Sequence, residues 1–135
     1  MQDMNSFTIQ TNARTSFINI DEEVSAVLLR EGINDGIVTV FVPHTTAGIT
    51  INENADPDVL ADMTNVLDEL IPWTNNYRHF EGNTAAHVKA SMMGSSVQLM
   101  VENGQFKRGQ WQSIFFCEFD GPRTRTVWVK GITNQ

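Results

Sequence analysis

The sequence is short of several things, and each shortage closes off a class of function. Of 135 residues one is cysteine, Cys117, so no disulfide can form within the chain, which fits a reducing compartment. Bases are scarce: nine Lys and Arg stand against sixteen Asp and Glu, for a net charge of -7 and a pI near 4.7. That balance disfavours nonspecific binding to nucleic acid or to anionic lipid. No apolar run approaches the roughly 18 residues that a membrane-spanning helix needs. The N-terminal stretch MQDMNSFTIQ has no basic region leading into an apolar one, so no secretory signal is expected. Repeats, low-complexity tracts and linkers are also missing.

What is present suits one folded domain over residues 1–135. Apolar residues make up 41% and charged ones only 19%, which argues against disorder. A chain of this size buries roughly two-thirds of its unfolded surface and folds without a staple. The charges are unevenly placed. Residues 1–81 hold thirteen acids against Arg14, Arg30 and Arg78, while residues 82–135 hold six bases against Glu102, Glu118 and Asp120. An acidic and a basic segment that meet in the fold would make a site.

The pattern of apolar residues predicts an α+β fold. Residues 5–20 read as strand, with Phe7 and Ile9 alternating with polar neighbours. Asp21 can cap a helix in which Val24, Val27 and Leu28 repeat at helical spacing and Gly32 ends the run. Residues 36–42 and the Ile49/Ile51 alternation read as strands. Asp56-Pro57 is a helix start, and Val59, Met63, Val66, Leu67 and Leu70 give the apolar stripe that follows. Residues 73–82 read as a loop, and Asn83 can cap a short helix closing at Gly94. Strands are expected at 96–102, 111–119 and 124–130. The turn pairs Asn103-Gly104 and Asp120-Gly121 suggest that these last three are antiparallel neighbours. The expected architecture is mostly antiparallel, sandwich-like sheets with two to three helices packed outside.

Polar residues with chemical potential fall in turn-rich places. His44 follows a buried strand in VPHTTAG, His79 lies in the loop YRHFEGN, and His87 sits on the short helix. Three imidazoles with nearby carboxylates can make a metal site with an open position, and neutral imidazole suits zinc. His79 and His87 are too far apart for one helical face, so the fold, or a second chain, must bring the ligands together. Glu53, Asp56, Asp58 and Asp62 form an acidic cluster. Capping and the helix dipole explain Asp56 and Asp58, but not Glu53, and oxygen clusters of this kind suit Mg²⁺ bridged to phosphate. In the basic segment Arg123 and Arg125, two apart, would face the same side of a strand and clamp one phosphate. Gly82-Asn83 ahead of a helix leaves backbone N–H groups for an anion. Trp111 with Gln112 offers a stacking pair, although a Trp at a strand start more often belongs to the core, and it is read so here.

These blocks carry a resemblance. The run Val42-Pro43-His44-Thr45-Thr46-Ala47-Gly48-Ile49-Thr50-Ile51-Asn52-Glu53 with Asp56-Pro57-Asp58 resembles the YjbQ-type family, labelled secondary thiamine-phosphate synthase. So do Tyr77-Arg78-His79, Glu81-Gly82-Asn83, His87-Val88-Lys89-Ala90-Ser91 and Gly94. Gly109, Trp111-Gln112, Glu118, Asp120-Gly121-Pro122-Arg123 and Arg125 complete the pattern over nearly the whole chain.

The resemblance implies a small α+β sheet sandwich, usually a homotrimer, in the cytoplasm of a bacterium or archaeon. It also implies a reaction that joins a hydroxymethylpyrimidine diphosphate to a thiazole phosphate with loss of pyrophosphate. On that reading Arg123, Arg125 and Asn83 hold phosphate, and Glu53, Glu81 and Lys89 are the catalytic groups. His44, His79 and His87 hold a divalent metal, zinc in preference to magnesium, which draws off developing charge. A zinc-dependent hydrolase of a small phosphorylated metabolite and a non-catalytic trimeric metabolite-binding protein are the alternatives. In each case the partner is a small phosphorylated metabolite, not nucleic acid or a membrane.

Overall fold

Period-two alternation dominates the chain, and it builds two antiparallel sheets. In the computed structural model, which describes residues 5–133, the strands are β1 (Asn5–Gln10), β2 (Ser16–Asn19), β3 (Gly36–Phe41), β4 (Ala47–Glu53), β5 (Ser96–Glu102), β6 (Gln105–Phe106), β7 (Gln112–Glu118) and β8 (Thr124–Thr133). The helices are α1 (Asp21–Glu31), α2 (Pro57–Leu70) and α3 (Thr84–Met93). The fold is α+β, as the sequence predicts. One sheet has five strands in the order β1-β8-β3-β5-β6, the other three in the order β2-β7-β4.

Val38 and Val40 of β3, Val127 and Val129 of β8 and Leu99 of β5 point inward from the larger sheet. They meet Ile49, Ile114 and Phe116 of the smaller one, with Val24, Val27 and Leu28 of α1 in the same core. The far face of the smaller sheet is covered by α2 and α3, where Cys117 and Phe119 pack on Leu67, Ala86 and Ala90. Helix α3 comes very close to β4: a Cβ on Gly48 would lie 2.8 Å from the Gly94 carbonyl oxygen, so only glycine fits. The outer face of the larger sheet has no covering layer among the described residues. There Ile37, Phe41, Met100, Trp128 and Ile132 remain exposed.

Four local expectations are corrected. Residues 5–20 are not one strand: the chain turns at Thr11–Arg14, and β1 and β2 join different sheets. Asp21 does not cap α1. Its carboxylate accepts from the Ile114 N–H at 2.8 Å and from the Ser113 hydroxyl at 2.7 Å, tying the helix start to β7. Asn83 precedes α3 without a side-chain cap, because its amide donates to Asp120 instead. The last three long strands are not neighbours. Asn103-Gly104, both at positive φ, does make a tight turn, but into the two-residue β6. Asp120-Gly121 leads from the smaller sheet at β7 to the larger at β8. A turn dipeptide reports a local reversal and says nothing of which sheet receives the next strand. The remaining elements stand where periodicity puts them, Asp56 included, whose carboxylate accepts the Asp58 N–H at 2.9 Å.

Candidate functional site

At the end of the sandwich where β3 stops and β8 runs on, a cavity of about 470 Å³ opens. It is lined by residues of the β3–β4 connection, His44 to Thr46 among them, and by Phe41, Ser95, Arg123 and Arg125. Three of the predicted site residues therefore converge here: His44, Arg123 and Arg125.

His44 Nε2 accepts the backbone N–H of Thr126 on β8 at 2.9 Å, beyond the last β3–β8 pair, Phe41 with Trp128. An imidazolium has no lone pair for that bond, so the neutral ring with its proton on Nδ1 is the form that makes it. Burial first, and then the positive field of Arg125, hold the His44 ring below the ordinary histidine range, with Glu118 working the other way.

The arginines do not form the symmetric clamp expected from their spacing. Arg123 precedes β8, is half exposed, and donates to the Asp120 carbonyl at 2.9 Å and its carboxylate at 3.0 Å. Arg125 is 2% exposed and is held by Glu118, which accepts from Nε at 2.8 Å and also from Nη2. The same Nη2 reaches the Thr46 hydroxyl at 2.9 Å. Glu118 further accepts the Thr11 hydroxyl at 2.8 Å and the Asp120 N–H at 3.0 Å. Burial alone would raise its carboxyl, but the hydrogen bonds from Arg125, Asp120 and Thr11 outweigh it and keep the group below the usual carboxylate range. Each arginine thus carries its own carboxylate, and the cavity is less positive than the sequence suggests.

The other predicted residues stand elsewhere, and none of them lines this cavity. Glu53 is at the far end of β4, six residues beyond Ala47 and so about 20 Å along the strand. Asp56 is occupied as a helix cap. Lys89 is buried on α3 in an ion pair with Asp68 of α2. Glu81 is exposed on the loop before α3. The Asn83 amide donates to the Asp120 carboxylate at 2.9 Å, and its carbonyl oxygen is buried without a partner. His79 and His87 do meet, ring centroids 5.5 Å apart and edge to face. His44 does not join them: among the described residues no group of three or more His, Cys, Asp or Glu side chains could hold a metal ion. The donor set of one chain does not fit the expected three-histidine centre. Trp111 is 55% exposed and so is not a core residue, while Gln112 accepts the Gly109 N–H at 2.7 Å and closes a turn. Cys117 is buried, which pushes its thiol up and leaves it without nucleophilic character.

Residue-by-residue reading missed Glu118, Thr11 and Thr46 as the frame of the cavity. The available signal was Glu118 itself, a charge in the otherwise apolar run Ile114–Phe119, which asks for a buried partner of opposite sign.

Comparison with known proteins agrees with the fold. A family model described as UPF0047 protein YjbQ-like matches residues 5–134. The UPF0047 protein YugU of Bacillus subtilis is 53% identical over 128 residues, 94% of this chain and 97% of that protein. The UPF0047 protein YjbQ of Escherichia coli O157:H7 is 33% identical over 84% of each chain. Among solved structures, an uncharacterized conserved protein of Clostridium acetobutylicum superposes with a TM-score of 0.93 at 52% identity, covering 95% of this chain and 99% of that one. A hypothetical protein of Aeropyrum pernix superposes with a TM-score of 0.92 at 32% identity, over 98% and 100% of the two chains.

Proposed function

This chain belongs to the YjbQ-like UPF0047 family, and from that premise we propose that it holds the phosphate of a small phosphorylated metabolite in the cavity between His44, Arg123 and Arg125. The observation that carries the reading is the convergence of those three side chains on one cavity. Guanidinium N–H groups match phosphate oxygens in geometry and charge, and His44 adds a donor at Nδ1.

The finer proposal is enzymatic. A transferase that joins two phosphorylated precursors with loss of pyrophosphate, as in thiamine-phosphate synthesis, must stabilise a leaving anion and keep water out. Arg123 and Arg125 are the residues placed for the first task. Phe41, Val42 and Pro43 supply apolar surface beside them. The histidines of one chain do not form the metal centre that such a step would use. Non-catalytic binding of the metabolite is the second reading, and the placement of Glu53, Glu81 and Lys89 away from the cavity favours it. The same proposal sets the protein in the cytoplasm as a homotrimer, with no nucleic-acid or membrane partner. The uncovered apolar face of the larger sheet supports self-association, and no described helix is long and apolar enough to cross a membrane.

Calorimetric titration with inorganic pyrophosphate tests the site. Arg123→Ala should weaken binding about tenfold, the worth of one charged hydrogen bond, and leave the circular dichroism spectrum unchanged. Equal affinity in the variant would sink the assignment. Incubation with hydroxymethylpyrimidine diphosphate and thiazole phosphate then separates enzyme from binder: pyrophosphate affinity without thiamine phosphate leaves binding alone.

A further inference from the structure

We propose that Glu118 is a positioning residue of this cavity: it locks the Arg125 guanidinium so that its third nitrogen, Nη1, is presented to the bound anion. The inference rests on the anion reading of the cavity and assigns a role to a residue that does not itself line it.

Arg125 spends Nε and Nη2 on Glu118 and Thr46, and Nη1 makes no hydrogen bond among the described residues. Arg125 lines the cavity, so Nη1 is the guanidinium nitrogen left for an anion there. A fork with two prongs tied and one free cannot rotate away from its target.

Glu118 is completely buried, and its two oxygens are fixed by Thr11 and by the Asp120 N–H as well as by Arg125. Those partners come from the segment after β1 and from the β7–β8 connection, so the carboxylate is held from two directions. Gly121 closes the packing: a Cβ there would fall 2.3 Å from the Ala13 carbonyl oxygen and 2.9 Å from Glu118 Cγ. The backbone at Gly121 thus packs directly on the Glu118 stem, and the hydrogen bonds to its carboxylate hold the guanidinium in turn.

A buried ion pair is a poor way to stabilise a fold, since two charges lose their hydration and well-packed apolar residues often do as well. What the pair provides is a guanidinium whose conformational freedom is already spent before the anion arrives, which is where binding otherwise loses affinity. Glu118 acts on the ligand only through Arg125.

The experiment is a double-mutant cycle read by titration with inorganic phosphate, on wild type, Glu118→Gln, Arg125→Ala and the double variant. Glu118→Gln should weaken phosphate binding about tenfold, and the effect should vanish in the Arg125→Ala background. Glu118→Asp, which keeps the charge but shortens the reach, should show the same loss. The Arg125 Nε–H resonance in ¹⁵N NMR, sharp and slowly exchanging in the free wild type, should broaden in Glu118→Gln. Thermal melting confirms that each variant is folded at the titration temperature, and an unfolded one is replaced by Thr11→Val, which removes one of the ties on Glu118 and should weaken phosphate binding in the same direction. Tighter or unchanged binding in Glu118→Gln overturns the positioning role while leaving the cavity assignment standing. Equal losses with and without Arg125 overturn it too. A wild type that does not bind phosphate overturns both.

Discussion

His44 is neutral for reasons that predict how the site responds to pH. Its folded-state affinity for protons is reduced relative to the ordinary 6.5, so the unfolded chain takes up the proton first as pH falls. The stability that the neutral ring contributes is therefore complete above about pH 6.5 and is lost as pH drops through the lower folded value. An anion in the cavity reverses the preference, because it favours the imidazolium. Sulfate, whose charge is constant over this range, should bind more tightly at pH 5.5 than at pH 7.5, and His44→Gln should flatten the profile. Calorimetry at the two pH values measures this, and a flat wild-type profile would refute it. Glu118 follows the same sign at lower pH: its contribution is present above the ordinary 4.5 and disappears as pH falls through its depressed folded value.

Single residues were also where sequence reading was least complete. His44, Arg123 and Arg125 announce themselves as polar side chains in turns, and they do converge. What each was bonded to is not written locally. Arg125 meets Thr46, 79 positions away, and Thr11 meets Glu118 across 107. Pairings over such separations depend on which strands lie together, which a residue pattern does not specify.

Elements were more legible, because their signals are local. Asp56 with Pro57 starts α2, and Gly32 in the left-handed conformation ends α1. Asp56→Ala should cost about 1 kcal/mol, the usual worth of a side-chain cap. Chemical denaturation should show a lower midpoint with an unchanged slope, and no change in phosphate affinity, since α2 does not line the cavity. A stability change below experimental error would mean that the Asp58 N–H finds water equally well. Strand partnership was the illegible part of this level. Turn chemistry correctly located a reversal at Asp120-Gly121, but the chain there changes sheet, and that change is what places Glu118 against Arg125.

For the whole molecule, the main unanswered demand is the outer face of the larger sheet. Met100 is 68% and Ile132 72% exposed there, and Phe41 stacks on Trp128 with ring centroids 5.6 Å apart. The face also carries Lys130, with Glu102 paired to Lys107 at its edge, in a chain whose net charge is -7. A surface that is apolar and without an excess of acid is where copies of an acidic chain repel least. Light scattering should give a multiple of the 15.2 kDa chain mass for the wild type and a smaller assembly for Trp128→Glu. A wild-type monomer would exclude self-association, and an unchanged assembly in the variant would move the contact to another face. The uneven charge along the sequence suggested that the two halves meet in a site. They do meet, through Lys89 with Asp68 and Arg108 with Asp21. At the cavity, however, the arginines find their carboxylates within the basic half.

The sole thiol gives this architecture a built-in clock. Cys117 lies buried on the face of the smaller sheet that α2 and α3 cover, so a reagent reaches it only when that layer lifts or the whole fold opens. The rate at which a thiol reagent labels the native protein therefore counts those openings, with every labelled molecule a record of one.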